Sequence, residues 1–348
     1  MKKTLEQLTL ILEEAIKAEI FPGACLALVN QKEVEYLNLG KLRSTSDDQK
    51  VETTTIYDLA SITKLITAIL ALQLIEEKKL SFNDNLAKYS PITKDFSTGK
   101  LTVWQLLTSL PNFAAALSDN KDLEGERLLE FIFQANYQSQ QKQEIIYSNT
   151  AFILLGLVIE QIAGVSIDQL AQSKIFTPLA MNQTSWGNLS FQKGVAPSEI
   201  DKWRKRELVG EIHDESAWKL YHDLGICVGS AGVFANIQDC SMLLSSLLNL
   251  DDSRLLKKEM KLRMVSNQLA DYQLDGGLGL ERNKEWMGEN RQRLVGKTGF
   301  TGTLIVWDPQ TTQGLVMLAN ATYPNRPEDR SKLMMVRQQL CDTVFAIS

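Results

Sequence analysis

The chain has 348 residues, 44% of them hydrophobic, and a formal net charge of −5. That is enough apolar material for a large core in one large or two interleaved domains. Mild acidity without a basic block argues against nucleic acid or an acidic membrane surface as partner. The cysteines, Cys25, Cys227, Cys240 and Cys341, have neither paired nor metal-like spacing, which predicts reduced, buried thiols. No uncharged apolar run reaches about 18 residues, so no membrane span is expected. Met1 to Ile20 carries Glu6, Glu13, Glu14 and Glu19 where a signal peptide would be apolar, and a cytoplasmic location is the expectation.

Leu5, Leu8, Ile11, Leu12, Ala15 and Ile16 recur at helical spacing and predict an amphipathic helix over 4–18. Pro22-Gly23 ends it. The apolar runs 24–29 and 34–39 around Asn30-Gln31-Lys32 predict a hairpin. Residues 43–50 read as a polar loop. Ser61 to Ile75 predicts a helix apolar on every side, hence buried, with Lys64 as its one charge, ending near Glu76–Lys79. From Leu80 to about Asn249 the pattern is mostly helical: a short helix over 103–108, a nearly all-apolar helix over 151–163 stopped by Gly164, and another over 240–250. The many charges and glycines of 186–225 suggest surface excursions. Strands return at 294–299, 302–308 and 314–320, and Leu333 to Phe345 reads as a closing helix.

With strands at both ends and helices between, the expected class is α/β (α+β). One antiparallel sheet is built from both chain ends, flanked by terminal helices, with a mostly helical domain inserted. The expected division is 1–60 plus 285–348 against 61–284, with the active site at their interface. There is no internal repeat.

Three short segments carry chemistry. Ser61 and Lys64 are three apart, one turn on one helical face. An ammonium in a dry place loses pKa and can then take a proton from a neighbouring hydroxyl. Ser-x-x-Lys recurs at Ser97, Ser118, Ser139, Ser190 and Ser216, but those lie in polar, turn-like stretches, and only Ser61 opens an apolar helix. Tyr147-Ser148-Asn149 places a phenol and an amide in a loop entering the second buried helix. Lys297-Thr298-Gly299 lies on a predicted strand between Gly296 and Gly302, where small residues let a ligand approach. His213 and His222 are nine apart, which fits no standard metal pair. No Gly-x-Ser-x-Gly elbow and no phosphate-binding Gly-rich loop is present.

In this order, Ser61-Ile-Thr-Lys64, Tyr147-Ser-Asn149 and Lys297-Thr-Gly299 resemble the three motifs of the penicillin-recognising serine hydrolases, in particular class C β-lactamases, D,D-peptidases and related esterases. Ile175-Phe-Thr-Pro-Leu-Ala-Met181 resembles a further family segment, with Ala180 where glycine is usual, and 210–217 and 229–234 match segments of its esterase and peptidase-like members. After Val103-Trp-Gln-Leu-Leu-Thr108 the family's His-Thr-Ser-Gly-Leu type loop is replaced by Ser109-Leu-Pro111, so the shape of the substrate site is not carried over.

The resemblance implies a β-lactamase/transpeptidase-like fold and an acyl-enzyme at Ser61, with Lys64 and Tyr147 sharing the proton and Tyr147 between Lys64 and Lys297. Asn149 would hold the substrate's side chain. The N–H groups of Ser61 and Phe300 would form the oxyanion hole, and Lys297, Thr298 and Gly299 would line the carboxylate side. His213 and Asp214 are expected cleft residues. No cofactor or metal is implied. The substrate would be an ester, a D-Ala-type peptide or a β-lactam; nothing implies an oligomeric state. The competing reading is a non-catalytic ligand sensor or scaffold that kept the fold.

Overall fold

A computed structural model describes residues 2–44, 49–113, 117, 122–138, 148–191 and 193–346. Helix α1 (Lys2–Lys17) leads into the hairpin β1 (Gly23–Val29) and β2 (Val34–Gly40), then β3 (Tyr57–Asp58) and the buried helix α2 (Thr63–Glu76). The middle of the chain holds α3 (Val103–Thr108), β4 (Asn112–Phe113), α4 (Gly125–Phe133), β5 (Tyr137–Gln138), α5 (Thr150–Ala163), α6 (Ile167–Ala171) and β6 (Ser185–Trp186). It continues through β7 (Glu199–Asp201), β8 (Arg206–Leu208), α7 (Glu215–Leu224), β9 (Val233–Ala235), α8 (Ile237–Leu248) and α9 (Lys258–Val265). The last part is β10 (Glu281–Arg282), β11 (Val295–Thr298), β12 (Leu304–Asp308), β13 (Gln313–Ala319) and α10 (Ser331–Val344).

Six strands form one antiparallel sheet in the order β10-β11-β12-β13-β1-β2, so both chain ends build it, as the sequence pattern predicts. Both faces are covered, which explains why its strands read as apolar runs rather than alternating ones. Successive side chains still point to opposite faces. Ala24, Leu26, Leu304, Val306, Leu315 and Met317 pack with Leu8 and Leu12 of α1 and Leu333 and Leu340 of α10. Cys25, Ala27, Val29, Ile305, Trp307, Val316 and Leu318 face the other way, onto the core built with α2, α5 and α8. Lys297 pairs with Ile305, which pairs with Val316. Directly paired residues share a face, so Lys297 projects to the side where α2 lies.

Every residue of α2 from Thr63 to Leu74 is buried. Six of them are Leu or Ile (Leu65, Ile66, Ile69, Leu70, Leu72 and Leu74). At ~1.5–3 kcal/mol each they supply roughly 10–20 kcal/mol. That outweighs the several kcal/mol that one enclosed ammonium costs, so Lys64 can be buried without unseating the helix.

Two local differences from the sequence pattern have physical causes. Residues 186–225 are only in part surface excursions: Val195, Ala196, Ser198, Glu199, Asp201, Leu208, Val209, Ile212, His213, Ala217 and Leu220 are buried. Several of their charges are satisfied inside the fold. Arg204, for example, donates to the carbonyls of Ile212 (2.8 Å) and His213 (2.8 Å) and lies against the rings of Trp203 and Trp218. Ser216 and Lys219 likewise lie on a helix, α7, rather than in a turn-like stretch, and Lys219 is buried. Ala180, standing where relatives by motif carry glycine, takes a positive φ of 55°, a region that glycine adopts at no steric cost.

Candidate active site

Ser61 lies in a single 3-10 turn, Ala60–Ile62, immediately before α2. The entry is strained: Ala60 has φ 47°, a left-handed conformation uncommon outside glycine. Asp58 holds it there. One carboxylate oxygen accepts the Ala60 N–H (2.7 Å) and the other the His213 N–H (2.7 Å). Burial pushes the Asp58 carboxyl upward, opposed by these two donors. Sequence reasoning missed Asp58, although an Asp two residues before the strained position is the pattern of a side-chain-closed turn.

Lys64 is 1% exposed. Its Nζ lies 3.0 Å from Ser61 Oγ, 2.9 Å from Asn149 Oδ1 and 2.8 Å from the Ser230 carbonyl oxygen. The last contact requires close packing of Gly229. A Cβ there would meet Phe152 O at 2.3 Å and Thr67 Cγ2 at 2.8 Å, and Thr67 Oγ1 donates to the Gly229 carbonyl (2.8 Å). Burial lowers the Lys64 pKa well below the usual lysine value, and the nearby Lys297 charge lowers it further; Asp214 and Glu281 oppose.

Asn149 precedes α5 and makes no side-chain cap to it. Its amide instead bridges Lys64 and Asp214: Nδ2 donates to Asp214 Oδ2 (2.8 Å), while Asp214 Oδ1 caps α7 through the Ala217 N–H (2.9 Å). His213 is buried, hydrogen-bonds Glu199 (Nε2 to Oε2, 2.7 Å) and stacks on Phe300 (5.7 Å between ring centroids, 28°). Tyr147 lies outside the described residues.

Lys297 donates to Glu281 Oε1 (2.6 Å), and Trp286 Nε1 donates to Glu281 Oε2 (2.8 Å). Burial pulls the Glu281 carboxyl up, but the Lys297 ammonium and these hydrogen bonds outweigh it and hold it low. Nothing in the sequence marks Glu281. It meets Lys297 because β10 pairs with β11, Glu281 opposite Gly296. After Thr298 the chain turns through Gly299–Gly302. Thr301 Oγ1 donates to the Asp58 carbonyl (2.8 Å) and Thr303 Oγ1 to the Leu59 carbonyl (3.0 Å), so the turn is moored to the backbone leading into Ser61. Gly299 has no room for a side chain: a Cβ would sit 1.9 Å from Thr303 Oγ1 and 2.4 Å from Leu59 O.

Ser61, Asn149, His213, Asp214 and Phe300 line one cavity of about 180 Å³, together with Lys219 and Arg326, which the sequence did not single out. Lys297 and Glu281 line a neighbouring cavity of about 230 Å³, walled by Leu107, Phe152, Leu280 and Trp286. Among the described residues no cluster of His, Cys, Asp or Glu could hold a metal ion, and the four cysteines are buried free thiols.

The chain is 27% identical to a Salmonella gallinarum protein provisionally named a D-alanyl-D-alanine carboxypeptidase, over 82% of this chain and 73% of that one. Two solved structures share the fold. EstCE1, titled a hydrolase with promiscuous acyltransferase activity, superposes with a TM-score of 0.78 at 17% identity, covering 99% of both chains. A class C β-lactamase from Rhodobacter sphaeroides gives a TM-score of 0.73 at 19% identity, covering 98% of this chain and 99% of that one. The family model described as Beta-lactamase matches residues 10–336, and with a match spanning nearly all of it the chain belongs to the Beta-lactamase family of penicillin-recognising serine hydrolases.

Proposed function

We propose that this hydrolase works through an acyl-enzyme at Ser61, with Lys64 as the base. The carrying observation is the set of atoms around Lys64 Nζ. Asn149 Oδ1 and the Ser230 carbonyl can only accept, whereas Ser61 Oγ can accept or donate. An ammonium donates to all three. A neutral amine donates to the first two and accepts the Ser61 proton, so these contacts persist in both protonation states and a proton can move without rearrangement. The lowered Lys64 pKa makes the neutral form accessible.

Ser61 Oγ then attacks the substrate carbonyl carbon as Lys64 takes its proton. The resulting oxyanion faces the N–H groups of Ser61 and Phe300. Collapse breaks the bond to the leaving group, which leaves with the proton from Lys64. Water, deprotonated by Lys64, attacks the acyl ester; the intermediate collapses, the acid leaves, and Lys64 returns the proton to Ser61 Oγ. By motif Tyr147 shares the proton with Lys64, and Thr298 and Gly299 lie along the substrate.

The substrate class we favour is a neutral ester or amide. Lys297, the cation that would greet a substrate carboxylate, is already 2.6 Å from Glu281, so a carboxylate there would meet like charge. EstCE1, a hydrolase with acyltransferase activity, fits acyl transfer from such a substrate; the carboxypeptidase relative points instead to a peptide ending in a carboxylate, the class that the Lys297–Glu281 pair disfavours. Intact-mass spectrometry after incubation with a nitrophenyl ester, a D-Ala-D-Ala peptide and a penicillin tests this. The wild-type chain should gain the acyl mass from the ester and Ser61→Ala should not. An adduct that persists in Ser61→Ala, or none with any of the three, would sink the proposal.

A further inference from the structure

The turn carrying Phe300 is held from behind by a cation that the reaction scheme does not use. Arg337 Nη2, from helix α10, donates to the carbonyl oxygens of Gly299 (3.0 Å) and Thr303 (3.1 Å). Arg337 is half-buried, its Nε is enclosed without an acceptor, and among the described residues no carboxylate pairs with it. Burial, and then the nearby Arg330 charge, draw its pKa down to about 10, so it stays cationic at neutral pH. Arg330 Nη2 donates in turn to the Phe300 carbonyl. A guanidinium spent on backbone carbonyls is costly to enclose, which calls for a reason beyond packing.

Peptide geometry supplies one. The Gly299 carbonyl and the Phe300 N–H belong to one planar trans unit and point in opposite directions. A donor that fixes the oxygen therefore fixes where the N–H aims. Arg337 approaches from the α10 side of the sheet, and α2 with Ser61 packs against the other. The Thr301 and Thr303 hydroxyls anchor the same turn to Asp58 and Leu59. A positive charge on the oxygen also polarises the amide and strengthens its N–H as a donor.

We propose that Arg337 is a positioning residue for acyl transfer: from the far face of the sheet it aims and polarises the Phe300 N–H toward the oxyanion formed at Ser61. The inference rests on the acyl-Ser61 reading. Its test compares wild type, Arg337→Gln and Arg337→Lys by nitrophenyl-ester kinetics, by affinity for phenylboronic acid, whose tetrahedral serine adduct mimics the oxyanion, and by the infrared carbonyl frequency of the acyl-enzyme.

Removing an oxyanion donor outright costs about 10²–10³ in kcat; losing the support behind one should cost Arg337→Gln about 10–50-fold. KM should stay within about threefold, boronate affinity should fall in parallel, and the acyl carbonyl should move to higher frequency. Arg337→Lys, which keeps the charge, should recover part of each. A folded Arg337→Gln with wild-type kcat and boronate affinity overturns the proposal. If Arg337→Gln does not fold, a wild-type carbonyl frequency and boronate affinity in Arg337→Lys overturn it. Failure of the wild type itself to bind boronate or acylate would instead defeat the acyl-Ser61 reading.

Discussion

Two of the enclosed lysines, Lys64 and Lys297, have surroundings that differ in kind. Lys64 is held by neutral oxygens, those of Ser61, Asn149 and Ser230, while Lys297 sits 2.6 Å from the Glu281 carboxylate. The three oxygens described around Lys64 carry no charge, and burial lowers its pKa against the pull of Asp214 and Glu281. Lys297 instead forms an ion pair with Glu281. In the mechanism proposed above, the same residue type on facing elements moves a proton in one place and carries charge in the other. Among the other buried lysines, Lys261 marks the structural version. It donates to the carbonyls of Ser246, Asn249 and Asp252 at the end of α8, away from any reacting group.

The comparison breaks most visibly at Lys64. Lys64→Met should reduce the acylation rate by about 10²–10⁴, the range of general acid–base catalysis. It should do so in a chain that still unfolds cooperatively, because a buried charge has been exchanged for an apolar side chain of similar length. Stopped-flow burst kinetics and thermal unfolding measure the two halves. Near-normal acylation in a folded Lys64→Met would show that the neutral cradle is only structural.

Glu281 sharpens the other side. Glu281→Gln leaves the Lys297 ammonium without its carboxylate, and the ratio of kcat/KM for a carboxylate-bearing ester over its neutral analogue should rise about tenfold. An unchanged ratio would mean that the ion pair does not govern substrate charge.

The smallest effect is a displacement on the pH axis, and its sign is fixed. The proposed mechanism needs neutral Lys64, so under it the rate rises with pH through the Lys64 pKa. Lys297 lowers that pKa and Asp214 raises it. Lys297→Ala should therefore move the acid limb of kcat/KM to higher pH, and Asp214→Asn should move it lower. Displacement of both limbs in one direction would assign the titration to another group.

Much of this was open to reading in the primary structure, and for local reasons. The terminal helices, the hairpin, α2 and α5 follow from apolar periodicity and from stops such as Gly164, which has φ 69° at the end of α5. Ser61 and Lys64 come together because helical geometry places residues three apart on one face. The three motifs marked Asn149 and Lys297 as well. The misreading of 186–225 came from counting charges as solvated when Arg204 and Glu199 are paired inside the fold.

What tertiary structure alone decided depends on contacts across long stretches of chain. The register of β10 on β11 brings Glu281 to Lys297, and the close approach at Gly229 sets the Ser230 carbonyl on Lys64. The packing of α10 behind the sheet lets Arg337 reach Gly299. Periodicity and motif are properties of neighbours along the chain, so the sequence by itself determined which side chains could react. The charge and aim of each were left to partners tens to hundreds of residues away, which only the folded arrangement selects.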